Sequence, residues 1–317
     1  MPQIACIGEV MIELATSAAQ SPGEAELKTL SYAGDTYNTV VTLARLGIDS
    51  AYITRLGDDH YSDAIIAKLE AESIATGTIV RHQGTVPGLY MIHNSPDGER
   101  EFFYWRNQAP ARQLFSHTEE IASLEAALTD TDMLYLSGIT LAIINTEARN
   151  NLLAFLRRYR AAGGQVAFDS NYRPRLWTSV EEAQKAMLDI MAETDLALLT
   201  LDDEELLWGA SGDAIEAVKA RYSEFAIGEI VLKRGASDVV ILEGDTRTEV
   251  PVPRVEHIID TTAAGDTFNA GYLATRLQGQ SPTAAAEQAN RCASIIIRHR
   301  GGVIDSHIFA SELARLS

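Results

Sequence analysis

The sequence predicts an α/β fold in which a mostly parallel central sheet is covered by helices on both faces and carries a small β-sheet lid. Three observations predict it: short runs apolar nearly throughout, helix-like stretches between them, and two regions where apolar and polar residues alternate. In chain order, the run at 4–8 comes first, and the run at 51–56 leads into a helical stretch at 58–72. The runs at 133–137, 165–169 and 196–200 are followed by helical stretches at 146–162, 180–192 and 213–226, and runs at 230–233 and 239–242 complete the set. Strands that are apolar on both sides belong to sheets buried on both faces. Their alternation with helices favours parallel pairing. Residues 12–33 and 85–106 break this rhythm with alternating stretches and a Ser95-Pro-Asp-Gly turn signal, and they read as antiparallel hairpins. A sheet projecting from the body would act as a lid; an edge extension of the main sheet is the alternative. No Pro/Gly/Ser-rich linker divides the chain, so residues 1–317 are expected to form one domain with a lid.

Composition narrows the function classes. The chain of 317 residues is 46% hydrophobic and 22% charged, ordinary globular values, with a net charge of −18. Such an excess repels nucleic acid and anionic membrane surfaces, so neither is expected as a partner. Cys6 and Cys292 both lie in apolar stretches, which suits core residues of a reducing compartment better than a disulfide framework. The N-terminus lacks a basic region and a long apolar core, and no stretch nears the roughly 20 apolar residues of a membrane span. A cytoplasmic protein is expected.

The sharpest chemical signal is DTTAAGDTFNAG at 260–271. Small residues lead into Gly265 and Asp266, after which Phe268, Tyr272, Leu273 and Leu277 recur with helical spacing. A turn free of bulk at a helix start presents unpaired N–H groups and partial positive charge, an anion hole suited to a phosphoryl group. Asp266 stands where it could take a proton from an alcohol, although an aspartate there could equally cap the helix. No Walker A or GxGxxG pattern is present. The seven histidines show no zinc-like spacing.

DTTAAGDTFNAG resembles the C-terminal signature of the ribokinase-like PfkB carbohydrate kinases, and Tyr32-Ala-Gly-Asp-Thr-Tyr-Asn38 resembles their N-terminal one. The stretches PGLY (87–90), YWRNQAPAR (104–112), YLSGITLAI (135–143), NYRPRLW (171–177) and LTLDDEELLWG (199–209) are similar to the branch acting on 2-keto-3-deoxygluconate. The resemblance covers essentially the whole chain. It implies a three-layer α/β/α ribokinase-like fold and ATP-dependent phosphorylation of that sugar acid to its 6-phosphate, in sugar-acid catabolism. A fructokinase or ribokinase of the same family is one alternative. A sugar-binding regulator that kept the fold without turnover is another, against which the intact Gly265–Asp266 pair speaks.

The resemblance assigns residues as follows. Asp266 matches the catalytic base, with the N–H groups of Ala263, Ala264 and Gly265 steadying charge. Gly34, Asp35 and Asn38 sit where the family holds sugar hydroxyls, Asp35 being also a possible helix cap. Tyr90 and Tyr104 lie on lid strands, where an aromatic body with a polar tip suits a sugar and also suits a lid core. Arg106 is expected to fork onto the substrate carboxylate, which a neutral sugar lacks; a solvated arginine is the plain alternative. Arg173 could reach substrate or nucleotide. Asn171, Lys233, Gly235, Gly265, Ala263 and Asn290 are placed around ATP, and each also suits an ordinary turn or helix surface. Where the family carries Asn-x-x-Glu, this chain reads Thr200-Leu-Asp-Asp203-Glu204, which leaves Asp203 or Glu204 to organise Mg2+. Asp260 and Thr262 mark where some members hold a monovalent cation, so K+ is a further expectation. Apolar lid strands suggest a homodimer packed lid to lid.

Overall fold

The computed structural model describes residues 2–16, 27–94, 100–210 and 212–316. The chain opens with β1 (Ile4–Ile7), then β2 (Met11–Thr16) and β3 (Lys28–Ala33), which lead into α1 (Asp35–Arg45). Next come β4 (Ser50–Ile53), β5 (Arg55–Gly57), α2 (His60–Ala71) and β6 (Val80–His82), followed by the hairpin strands β7 (Leu89–Asn94) and β8 (Arg100–Trp105). The central stretch alternates: α3 (Thr118–Ala127), β9 (Met133–Ser137), α4 (Gly138–Ile143), α5 (Thr146–Ala161), β10 (Gln165–Asp169), α6 (Val180–Met191), β11 (Leu196–Thr200) and α7 (Leu201–Trp208). The last part holds α8 (Ala214–Tyr222), β12 (Glu229–Arg234), β13 (Ser237–Glu243), β14 (Thr246–Val250), α9 (Ala264–Leu277), α10 (Pro282–Ile296) and α11 (Ser306–Leu316). Among the described residues, no helix is long and apolar enough to cross a membrane.

The main sheet runs β14-β13-β12-β11-β10-β9-β1-β4, parallel from β4 to β12 and antiparallel over the last two pairings. Side chains alternate across it, as the pleat requires. Ala5 and Ile7 enter one core with Leu152 and Phe155 of α5 and Met187 and Ile190 of α6. Ile4 and Cys6 enter the opposite core with Val40 of α1, Leu273 of α9 and Ala289 of α10. This is the three-layer α/β/α arrangement, and burial on both faces explains why the strands read as unbroken apolar runs. Helices α9 and α10 approach closely because Gly271 faces Ala289; a Cβ there would lie 2.8 Å from the Ala289 Cα.

Two expectations need correction. The run at 51–56 is not one strand: it divides at Thr54 into β4, in the main sheet, and β5, which pairs with β6. Buried Arg55 explains the break, since its guanidinium must reach Glu120 and the Gln113 carbonyl beyond the apolar core. The second sheet, β3-β2-β7-β8, is made of two antiparallel hairpins, but its middle seam, β2 against β7, is parallel. Hairpin signals are local, whereas the direction of a seam between hairpins is fixed by where each leaves the main body. The 95–98 turn signal and residues 17–26 of the lid stretch lie outside the described residues.

Candidate active site

The parallel strands bring their C-terminal ends to one edge, where the N-termini of α1 and α9 meet. This edge is where sheets of this kind bind ligands. Gly34 stands just before α1, and a Cβ on it would lie 2.1 Å from the Glu9 carbonyl oxygen. The lack of a side chain at Gly34 thus lets the chain pack against its own backbone at Glu9. Asp35 does not cap α1, since Gly34 holds that position. The Asp35 carboxylate turns into the protein, where it accepts hydrogen bonds from the Ser137 hydroxyl and, at 3.0 Å, from the Asn171 amide. Asn171 follows β10 in a left-handed conformation, φ 28°, which an asparagine tolerates better than most residues.

Helix α9 begins after Ala263, itself left-handed at φ 59°, with no side chain capping the helix. Asp266 is thus released from the capping role the sequence left open. Its Oδ2 accepts the Asn38 amide at 2.8 Å, and its carbonyl accepts the Thr39 hydroxyl at 3.2 Å, so α1 fixes the base of α9. Asp266 as a whole is partly exposed. Removal from bulk water, then the nearby charge of Asp35, pushes its carboxyl up to about 8. Burial likewise raises Asp35.

Below Asp266 lies a closed network. Lys233, 8% exposed, donates to Asp169 Oδ1 at 3.1 Å and to Asn269 Oδ1 at 2.9 Å. The Asn269 amide donates to Asp169 Oδ2 at 2.9 Å and to the Tyr135 hydroxyl at 3.0 Å. The Lys233 ammonium, placed around ATP by the resemblance, is engaged beneath α9 by these two partners.

The lid forms the other wall. Tyr90 stacks on Tyr104 with ring centroids 5.7 Å apart, and its hydroxyl donates to Glu13. Tyr104 is half exposed on the same face, with the Arg106 guanidinium 5.9 Å from its ring centre. Arg106 is not the solvated arginine of the plain alternative: it is buried and paired with buried Glu9. Burial raises the Glu9 carboxyl, while Arg106 opposes the rise. Arg106, Arg173 and Arg175 all lie close enough to Tyr104 to act on its ionisation, so positive charge gathers at this cleft in a chain of net charge −18. Arg173 is the open member, its side chain 53% exposed, anchored by the Tyr172 carbonyl at 2.9 Å.

The remaining candidates divide. Asp203 stays with the site: it accepts the Tyr172 N–H at 3.2 Å and lies 3.5 Å from Arg173. Glu204 does not. Its carboxylate is buried against α8, taking hydrogen bonds from Arg221 at 2.7 Å and from the Tyr222 hydroxyl at 3.0 Å. Gly265 sits over the Lys233 ammonium, 3.8 Å from where its Cβ would be, and Ala264 opens the first turn of α9. Gly235 makes the open turn after β12 at φ 59°, consistent with a loop a nucleotide could approach. Asn290 is buried and holds the Pro251 carbonyl at 3.0 Å, a loop-pinning bond. Asp260 accepts the N–H groups of Thr262 at 2.9 Å and Gly301 at 3.0 Å, closing the loop before α9. Among the described residues, no cluster of three or more His, Cys, Asp or Glu could hold a metal by itself. A hard divalent ion held mainly by nucleotide phosphates and water fits the lone Asp203 carboxylate.

Glu9, Asp169 and Asn269 had no assigned role in the sequence reading. Asp169 carried a signal, an acid ending an otherwise apolar strand run. Glu9 and Asn269 had only their places within longer motifs.

A family model described as pfkB family carbohydrate kinase matches residues 1–308. The chain is 44% identical over 310 residues to the 2-dehydro-3-deoxygluconokinase of Escherichia coli, covering 95% of this chain and 97% of that one. It is 42% identical over 308 residues to the protein of the same name from Dickeya dadantii, covering 95% and 96%. An Escherichia coli protein provisionally called Ribokinase II, solved with ATP and Mg2+, superposes with a TM-score of 0.85 at 22% identity, over 99% and 100% of the two chains. At that identity the likeness concerns the fold.

Removing one member of a buried ion pair leaves the other charged and dry, at a cost of about 3–5 kcal/mol. Arg106→Ala is expected to lose about that much stability in urea titration. Without Arg106 the folded-state pKa of Glu9 rises further above its unfolded value, so stability falls as pH climbs through that range. The loss should therefore be larger at pH 8 than at pH 5.

Proposed function

The chain belongs to the pfkB family of carbohydrate kinases, and we propose that it transfers the γ-phosphoryl group of ATP to the terminal hydroxyl of 2-dehydro-3-deoxy-D-gluconate (2-keto-3-deoxygluconate). The product is the 6-phosphate, and the reaction belongs to sugar-acid breakdown in the cytoplasm. The observation carrying this reading is the position of Asp266: a carboxyl group at the first turn of α9, held by Asn38 and near Tyr90, on the lid face where Tyr104 and arginines gather. The names of the relatives at 42–44% identity support the same substrate.

The chemistry follows from the placement. The terminal hydroxyl loses its proton to Asp266 as its oxygen bonds to the γ-phosphorus, the bridging P–O bond of ATP breaks, and ADP departs. An aspartate is a weak base, so orientation and late proton acceptance carry its contribution. The N–H groups of the first turn of α9, around Ala263, Ala264 and Gly265, meet the charge on the transferring group. Magnesium bound with the nucleotide would neutralise phosphate charge, with Asp203 as its protein-side partner through water. A monovalent cation beside Asp260 and Thr262 would stiffen the loop leading into α9. Asn38 and Tyr90 are assigned to sugar hydroxyls, while Asp35 acts through Ser137 and Asn171 to order the floor of the site. For the carboxylate end, Arg173 is the open guanidinium and Arg106, fixed by Glu9, adds its field. Asn171 and Gly235 are assigned to the nucleotide side.

The outer face of the lid suggests a second copy as partner. Leu30, Phe103 and Trp105 are 43%, 47% and 58% exposed there, large apolar surface that a monomer seldom leaves open. Sedimentation at micromolar concentration should give a dimer mass, and Trp105→Glu a monomer; a monomeric wild-type protein overturns this partner.

Asp266→Asn should cut turnover by a factor on the order of 10³ or more, with ATP affinity nearly unchanged in equilibrium binding. Because the base must be unprotonated, kcat/KM for the free enzyme should rise with pH until near 8. In a coupled assay over sugar acids and ketoses, Arg173→Met should raise KM for 2-dehydro-3-deoxygluconate by about tenfold, one lost charge-assisted contact. Fructose, lacking the carboxylate, should be little affected. Equal losses on both would favour a neutral-ketose kinase.

A further inference from the structure

Lys233 is a strand-end lysine whose ammonium points down into the protein. Both its partners are side chains of the network, Asp169 at 3.1 Å and Asn269 at 2.9 Å. It also lies directly under the first turn of α9, as the 3.8 Å to the Gly265 Cβ position shows. A cation at a helix N-terminus opposes the helix dipole, so this placement gains nothing from α9 itself. What it does face is negative charge. The charges of Asp35 from α1 and Asp169 at the end of β10 both disfavour the ionised form of Asp266 on α9, and Lys233 opposes them.

We infer that Lys233 is a positioning residue for the transfer: a fixed counter-charge that favours the ionised form of Asp266 against the repulsion of its neighbours and, through Asn269, holds the first turn of α9 in place. Asn269 makes the coupling mechanical as well as electrostatic. It sits one turn beyond Asp266 on the same helix and ties α9 to Lys233 of β12, Asp169 of β10 and Tyr135 of β9. The other groups facing Asp266 are Asn38 of α1, which donates to it, and Tyr90 of β7, whose ionisation Asp266 disfavours. Arg173 acts on Asp35 from the rim, where it is open to solvent. Among the described residues the buried cation of the cluster is therefore Lys233, set against three carboxylates.

This inference rests on Asp266 being the base. Lys233→Met removes the counter-charge with little change in chain length, and should move the acid limb of the kcat/KM profile up by about one pH unit. Activity would fall about tenfold at pH 7 and recover near pH 9, with KM for ATP unchanged. Lys233→Gln keeps a donor for Asp169 while removing the charge; it should move the limb up likewise, and it decides the matter should Lys233→Met fail to fold. A loss of the same size at every pH would make Lys233 merely structural and overturn the inference. So would an unmoved limb with a raised KM for ATP, the mark of a nucleotide ligand. If Asp266→Asn keeps both turnover and the limb, the base assignment itself has failed, a result separable from those two.

Discussion

Three carboxylates, Asp35, Asp169 and Asp266, meet where the parallel strands end, and the surrounding structure is arranged around their mutual repulsion and their removal from water. Each has a defined answer: Ser137 and Asn171 for Asp35, Lys233 and Asn269 for Asp169, Asn38 for Asp266. These answers come from α1, β9, β10, β12 and α9, so the cluster cannot form until the sheet and both helix layers are in place. Buried polar networks of this kind are costly when half satisfied and rigid when complete. The result is one partly exposed carboxylate, Asp266, fixed in the first turn of α9.

The lid contributes the opposite chemistry. Its inner face supplies tyrosines and, through Arg106, the edge of a positive field continued by Arg173 and Arg175 of the main body. A protein with strong overall negative charge repels an anionic substrate at long range, and short-range pairing in a cleft must overcome that. Glu9 keeps Arg106 from swinging freely, which trades part of its charge for a fixed orientation. Preorganised donors of this sort lower the cost of ordering on binding.

Much of this was legible in the sequence, and what was not has a physical reason. The layered fold followed from apolar strand runs because burial on two faces leaves a direct record in composition. Asp266 stood out because a run of small residues before a helical pattern is itself a backbone signature. The choice between Asp203 and Glu204 was not legible: neighbours on a helix point about 100° apart, and only packing of α7 on α8 decides which faces the cleft. The direction of the Lys233 side chain depends on where α9 crosses β12, a contact between distant parts of the chain. The Glu9–Arg106 pair joins residues 97 positions apart, with no local pattern to announce it. The parallel seam of the lid is of the same non-local kind.

A crystal structure with 2-dehydro-3-deoxygluconate and a non-hydrolysable ATP analogue would show the atom pair on which the transfer turns. With Asp266 as the base, the terminal hydroxyl of the sugar lies within about 2.6–3.2 Å of an Asp266 carboxylate oxygen. A well-ordered sugar whose terminal hydroxyl rests against another group, with Asp266 pointing away from it, would rule Asp266 out as the base.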